Sequence, residues 1–270
     1  MVQRDTDTPD LLSALDDGLL TLTLNRPDAR NAMSDPMLEA MERELAFAEG
    51  SSEVRCVVLR GNGHAFCAGG DVKAMGDGPP PPSAMNDRIA YQRAIQRATS
   101  GRLVAMAKPT LAVVNGPAAG AGLALALACD LRIMARPAFL LTAFATVGLS
   151  GDFGVGYLLT RLVGGARARE MMFLPDRISS DRALDIGLTN WVCEAEHLDA
   201  HAERIARRLA AGPPKALGYM KDHLNKALST DFDTYMEHEV ACHLDCSRTA
   251  DHLEGVMAFA EKRAPLFTGR

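Results

Sequence analysis

Hydrophobic and polar positions divide the chain into short strand-like runs and helical periods. Residues 1 to about 15 hold no sustained period and read as a ragged start. After Gly18, Leu19-Leu20-Thr21-Leu22-Thr23-Leu24 has strand length with β-branched interruptions, and Asn25-Arg26-Pro27-Asp28 stops it with turn residues. Ser34 is placed as an N-cap and Pro36 fits a first helical turn. Met37, Met41, Leu45 and Phe47 then keep a helical period to Gly50. Val54 to Leu59 is a Val-rich apolar run closed by Gly61-Asn62-Gly63, and similar strand patterns fall at Thr110 to Val114, Leu131 to Met134 and near Asn190 to Cys193. Gly78 and the prolines from Pro79 to Pro82 predict an exposed, mobile loop before a helix around Asn86 to Thr99. From about Leu198 onward the pattern is helical throughout: His201 to Ala211, Pro213 to Leu228, and one long segment from Asp233 to Arg263. This order predicts an α/β core over residues 1–197 followed by a helical region over 198–270, without an internal repeat.

Composition narrows the function classes. The 270 residues fit one large domain or two small ones, with chain enough for a proper core. A net charge of −5, from 29 Lys+Arg against 34 Asp+Glu, and the lack of a long basic run disfavour nucleic acid as a partner. The longest apolar stretch, Leu123 to Cys129, falls far short of the roughly 20 residues that cross a bilayer, so no membrane partner is expected. Met1 to Asp10 carries three aspartates and no apolar segment, which argues against a targeting peptide and makes the cytoplasm the expected location. The six cysteines lack the spacing of a disulfide framework and read as reduced core thiols. His238, Cys242 and Cys246 share one helix face at i, i+4 and i+8. A soft metal is conceivable there, but without a Cys-x-x-Cys hairpin a buried helix face is the favoured reading and no metal is expected.

Two clusters of small residues carry the candidate chemistry. Phe66-Cys67-Ala68-Gly69-Gly70-Asp71 follows one strand. Asn115-Gly116-Pro117-Ala118-Ala119-Gly120-Ala121-Gly122 follows another and opens a helix of Leu and Ala. Loops of Gly and Ala let a ligand approach the backbone, and amides at a helix N-terminus point outward with partial positive charge. Two such loops can aim two N–H groups at one oxygen, or they can be tight turns between packed elements. The second is not a phosphate-binding P-loop, because no Lys-Ser/Thr follows its glycines.

These residues lie within a longer resemblance. The sequence resembles the enoyl-CoA hydratase/isomerase (crotonase) superfamily through Leu24-Asn25-Arg26-Pro27, Arg30-Asn31-Ala32-Met33, Gly61, Phe66 to Lys73, Lys108-Pro109 and Val114-Asn115-Gly116. The likeness continues through Ala128 to Arg132, Gly148-Leu149, Arg161 to Gly164, Arg177-Ile178-Ser179 with Ala183, Gly187-Leu188 and Phe259 to Arg263. In all it covers about residues 15 to 267. It implies an α/β, crotonase-like spiral of ββα units, a helical C-terminal region that builds trimers or hexamers, and an acyl-CoA thioester as substrate, with no separate cofactor. The family's oxyanion hole carries over to the backbone amides of Gly70 and Ala121, which would hold the thioester oxygen as it becomes an enolate. Arg30, Ala68 and Val72 match positions near the nucleotide and pantetheine, Lys73 a position near the phosphates, and Phe259 and Lys262 a part of the CoA site contributed by a neighbouring subunit. Lys73 and Lys262 also suit a role as solvated helix charges.

The sequence departs from the family where hydratases carry two glutamates, for the matching positions here are Ala124 and Phe144 and neither moves a proton. Asp152, in Gly148-Leu149-Ser150-Gly151-Asp152-Phe153-Gly154, resembles in position the acidic residue of isomerase-type members. It reads either as a proton carrier of raised pKa or as the N-cap of the helix that follows. His64, in a Gly-Asn-Gly-His turn, reads as a solvated loop residue, and Asp71 as an organiser of its own glycine turn. The expected activity is a double-bond shift on an enoyl-CoA with Asp152 as proton carrier. The alternatives are a hydratase with atypical acid/base residues and a catalytically silent acyl-CoA binder.

Overall fold

The computed structural model describes residues 1–71 and 84–270, so the expected proline loop lies outside the described residues. Three strands open the chain: β1 (Val2–Arg4), β2 (Leu11–Asp16) and β3 (Leu19–Leu24). They pair antiparallel, with Leu11 opposite Leu24 and Asp16 opposite Leu19. Asp17 and Gly18 both turn with positive φ (46° and 81°), the backbone that a two-residue hairpin requires and that an Asp-Gly pair supplies. The ragged start expected for residues 1–15 is therefore corrected to two strands. Their inward positions are partly polar, which hid them: Ser13 Oγ and Arg4 Nε both donate to Glu44 Oε2 at 2.6 Å, and Glu44 is buried. A carboxylate 31 residues from Ser13 completes that pattern, and a local window does not contain it.

Ser34 caps α1 (Asp35–Gly50) as expected, its Oγ accepting the Met37 N–H at 3.3 Å. This helix carries the chain over to β4 (Cys56–Gly61), which lies parallel to β3. The strand begins two residues later than the Val54 run suggests, because its ladder starts where Leu19 pairs with Cys56. Beyond the undescribed segment come α2 (Met85–Gln96), a π-turn at Arg97–Gly101 and α3 (Arg102–Ala105). Then follow β5 (Thr110–Val114), β6 (Ala118–Ala119), α4 (Ala121–Ala128), β7 (Leu131–Ala135), β8 (Phe139–Leu141) and α5 (Val155–Phe173). The strands β9 (Ile178–Ser179) and β10 (Trp191–Cys193) flank α6 (Ser180–Asp185). The main sheet has the order β1-β2-β3-β4-β5-β7-β10, antiparallel over its first three strands and parallel from β3 onward. A small second sheet joins β6, β8 and β9.

The central parallel strands are apolar on both faces. Val57, Leu59, Leu111, Val113 and Ile133 are buried together with Met37, Met41 and Leu45 of α1 and with nearly the whole of α4. After β10 the chain is helical among the described residues: α7 (Leu198–Ala210), α8 (Pro214–Lys226), α9 (Phe232–Cys246) and α10 (Ala250–Glu261). Leu198, Ala202, Ala206 and Ala210 of α7 belong to the same buried cluster as the sheet, so this helix packs with the α/β layer. The long helical segment expected from Asp233 to Arg263 is made of two helices. The chain breaks after Cys246, and the Thr249 hydroxyl accepts the His252 N–H at 3.1 Å to cap α10. No helix among the described residues is long and apolar enough to cross a membrane.

Candidate active site

The two small-residue loops pack against each other backbone to backbone. Cys67 N–H donates to Pro117 O at 3.2 Å and Ala119 N–H to Cys67 O at 2.9 Å, forming a short bridge between the loops. Gly122 is needed at that contact, since a Cβ there would stand 2.4 Å from Cys67 O. Gly69 has φ +94°, and its Cβ would come within 2.8 Å of Ala119 O and 3.3 Å of Ala121 N, so the first loop passes directly over the start of α4. Gly120 N–H is tied to Leu141 O at 2.9 Å, and Met33 N–H to Gly69 O at 2.8 Å. Among the described residues the Gly70 and Ala121 amides find no acceptor, and Ala121 is the first residue of its helix, where the N–H has no intrahelical partner. Two unused donors thus sit on adjoining loops of fixed geometry, an arrangement able to bind one oxygen of growing negative charge.

Asn31 locks this corner, and reading the sequence missed its part. Its side chain is fully buried: Nδ2 donates to Asn62 O at 2.9 Å and Ala65 O at 2.8 Å, while Oδ1 accepts the Arg26 N–H at 2.9 Å. Its partners Asn62 and Ala65 lie 31 and 34 residues further along, so the residues around Asn31 carried no signal of this role. Arg30 is exposed beside it with φ 52°, and its carbonyl accepts the Ala68 N–H at 2.9 Å, so Arg30 and Ala68 are neighbours on the rim of the loop. Val72 and Lys73 lie outside the described residues. Asp71 is engaged by Arg26, whose Nη2 stands 3.1 Å from Oδ2, which fits an organising role. His64 is exposed on its turn.

The second corner is a loop between β8 and α5. Phe144 and Ala124 are both buried, and the Phe144 ring lies close to Gly120. Phe144 O accepts the Leu149 N–H at 2.9 Å, closing the loop that carries Asp152. Phe153 is buried with φ 47° and is followed by Gly154 at φ 81°, a left-handed pair that a bulky residue rarely joins. Asp152 does not cap α5. The N-cap is Gly154, without a side-chain cap, and Asp152 contributes only its carbonyl, to Val155 N–H at 3.0 Å. Its Oδ1 is buried with no hydrogen-bond partner among the described residues, and burial alone pushes the carboxyl up to about 6. It borders a cavity of about 800 Å³ with Ile89 and Gln92 of α2 and with Leu149, Phe153 and Tyr157. A larger cavity of about 950 Å³, between the sheet and α7, is lined by neither Asp152 nor the two free amides.

Phe259 and Lys262 lie away from both corners. Phe259 is 87% exposed at the end of α10 and borders a separate cavity of about 380 Å³ with His252 and Phe267, while Lys262 closes the helix with φ 56°. All six cysteines are free; Cys193 and Cys246 are only partly buried, the others buried. The metal ligand set weighed on α9 is altered: His223 of α8, rather than Cys246, joins His238 and Cys242.

Comparison with known proteins gives a consistent picture. A family model described as Enoyl-CoA hydratase/isomerase matches residues 15–270. The chain is 37% identical over 263 residues to 1,2-epoxyphenylacetyl-CoA isomerase of Escherichia coli strain K12, covering 96% of this chain and 98% of that protein. It is 34% identical over 244 residues to short-chain-enoyl-CoA hydratase of Clostridium acetobutylicum, covering 90% and 91%. Among solved structures, enoyl-CoA hydratase from Bacillus anthracis superposes with a TM-score of 0.90 at 30% identity, covering 97% of this chain and all of that one.

Proposed function

The chain belongs to the enoyl-CoA hydratase/isomerase family, and from that premise we propose that it shifts a double bond in an acyl-CoA thioester, with Asp152 as the proton carrier. The observation that carries the reading is the Oδ1 of Asp152, buried at the wall of a cavity without a partner among the described residues, in a chain whose Ala124 and Phe144 supply no acid or base. With its pKa near 6, the carboxyl is mostly ionised at neutral pH yet readily protonated, as a reversible base requires. On a 3-enoyl thioester, Asp152 removes a proton from C2 and the electron pair moves through C1 onto the thioester oxygen. The Gly70 and Ala121 amides hold the charge of the dienolate. The carboxylic acid then returns the proton to C4, leaving the double bond between C2 and C3. One carboxylate and no water complete the step.

The CoA moiety is assigned to the rim beside Arg30 and Ala68, with Val72 and Lys73 following in the chain. Phe259 and Lys262 act on a neighbouring subunit's ligand in a homotrimer or hexamer. Support for the assembly comes from the apolar side chains that α8 to α10 leave in solvent, among them Leu224, Phe232, Val240, Leu253 and Phe259. The test is a panel of 2-enoyl, 3-enoyl and dienoyl thioesters with product analysis by mass spectrometry. Faster interconversion of 3-enoyl and 2-enoyl isomers than hydration supports the reading. Rapid hydration favours an atypical hydratase, and binding without turnover of any thioester favours a silent binder.

A further inference from the structure

Where α8 meets α9, away from the candidate active site, three side chains of metal-binding chemistry converge. The donor atoms of His223, His238 and Cys242 all lie within 4.8 Å of one another. His238 and Cys242 sit one helical turn apart on α9, and His223 reaches them from α8. Cys242 Sγ is 3.6 Å from His238 Nε2. In a tetrahedral zinc site with Zn–S of about 2.3 Å and Zn–N of about 2.0–2.1 Å, the S···N edge is about 3.5 Å, so this pair already has the required spacing.

A further observation points to a ligand. The Nε2 of His223 is buried with no hydrogen-bond partner among the described residues, although the residue as a whole is only half-buried. Its ring is held by Tyr219, stacked at 6.5 Å, by Tyr235, edge-on at 6.0 Å, and by the His238 ring at 5.4 Å. Asp222 Oδ2 accepts from His238 Nε2 at 2.5 Å, a hydrogen bond that a cation on that nitrogen would replace, and this carboxylate lies outside the three-donor cluster. Lys226 also reaches that carboxylate, at 3.4 Å.

We propose that His223, His238 and Cys242 form a site for a borderline-soft divalent cation of the zinc class, clamping α8 to α9. Binding releases the Cys242 thiol proton and any proton on the two imidazole nitrogens, and the thiolate then offsets part of the charge of the cation. Three protein donors leave the fourth tetrahedral position to water. Cys246 takes no part, because it faces the cavity shared by Lys215 and Phe259.

The test uses the full chain, stripped with a chelator and titrated with zinc alone in competition with a chromophoric indicator. One equivalent per chain is expected, with a rise in the thermal unfolding midpoint on zinc addition. Cobalt in place of zinc is expected to give a thiolate-to-metal charge-transfer band. Cys242→Ser abolishes that band and weakens zinc at least about tenfold, since even the loss of an outer partner costs about that much. His223→Gln, a milder change at a half-buried ring, weakens zinc similarly while keeping the far-ultraviolet spectrum of the wild type. Cys246→Ser leaves binding unchanged. The proposal is overturned if no equivalent binds, if wild type and His223→Gln bind zinc equally, or if the cobalt band follows Cys246 instead of Cys242.

Discussion

The corner around Gly70 and Ala121 and the corner around Asp152 are made in opposite ways. The first is built from backbone: glycines admit close contact, Asn31 ties its own turn to the segment from Asn62 to Ala65, and among the described residues the Gly70 and Ala121 amides keep no acceptor. The second depends on one side chain whose carboxylate oxygen is buried without a partner among the described residues. A backbone-built site keeps its function through changes of side chain, whereas a side-chain site changes chemistry with one substitution. On that contrast, Ala124 and Phe144 can stand at the positions the family resemblance matches to hydratase glutamates while the two small-residue loops keep their form.

The largest effect is expected at the second corner. Asp152→Asn preserves shape but cannot take up a proton, so turnover should fall by roughly 100- to 10,000-fold while thioester affinity stays within a few-fold. Steady-state kinetics and calorimetry with a saturated acyl-CoA read the two quantities separately. A fully active variant would break the assignment of Asp152, and equal loss of affinity would show that it holds substrate instead.

Next comes the lock on the first corner. Asn31→Ala removes three hydrogen bonds from a fully buried position and strands their partners, which at about 1 kcal/mol each lowers stability by about 3 kcal/mol. Chemical denaturation measures it. Because Asn31 touches no reacting atom, the folded fraction of the variant should keep turnover far better than Asp152→Asn. Loss of turnover without loss of stability would contradict the picture of a scaffold residue.

How far these corners could be read from sequence follows the range of the interactions that make them. Leu19–Leu24, the Ser34 cap of α1 and the small-residue opening of α4 are set by neighbours within a few residues, and they stand where the pattern placed them. The first two strands were hidden because Ser13 and Arg4 are completed by Glu44, a partner far along the chain. The same distance in sequence concealed Asn31's reach to Asn62 and Ala65, and His223's meeting with His238. Between Asp233 and Arg263 no proline marks the break, and the Thr249 cap alone gives it away. Asp152 could be noticed as an acid in an apolar setting, but the choice between cap and unpaired carboxyl required the loop's path, with Gly154 in the capping position.

A third expectation links stability and activity at Asp152. Its folded pKa, about 6, lies above the ordinary carboxyl value of 3.8 that the unfolded chain keeps, so the folded state holds the extra proton between those values. The stability given by the neutral carboxyl is fully present below about pH 3.8 and is lost as pH rises through about 6. Activity runs the other way, because the base form is the working one: kcat/KM should fall about tenfold per pH unit below pH 6 and level off above it. Relative to wild type, Asp152→Asn should therefore gain stability as pH rises through this window. Parallel slopes for the two enzymes would mean that the carboxyl does not titrate there.

The smallest effect returns to the first corner and tests whether backbone alone sustains it. Asp71 follows Gly70 directly and pairs with Arg26 at 3.1 Å, but both side chains are about a quarter exposed (26% and 25%). Water screens such a pair, and its worth is typically below about 1 kcal/mol. Arg26 also donates to Ala32 O at 2.7 Å and stands 3.6 Å from Asp10, so it keeps other partners when the Asp71 charge is removed. Asp71→Asn should then lower stability by less than about 1 kcal/mol and leave turnover within about twofold. Thermal unfolding and initial rates at two salt concentrations check this, since a screened pair responds to salt and a backbone-held loop does not. A loss approaching that of Asp152→Asn would show that charge beside Gly70 contributes to the reaction, and the two corners would no longer differ in kind.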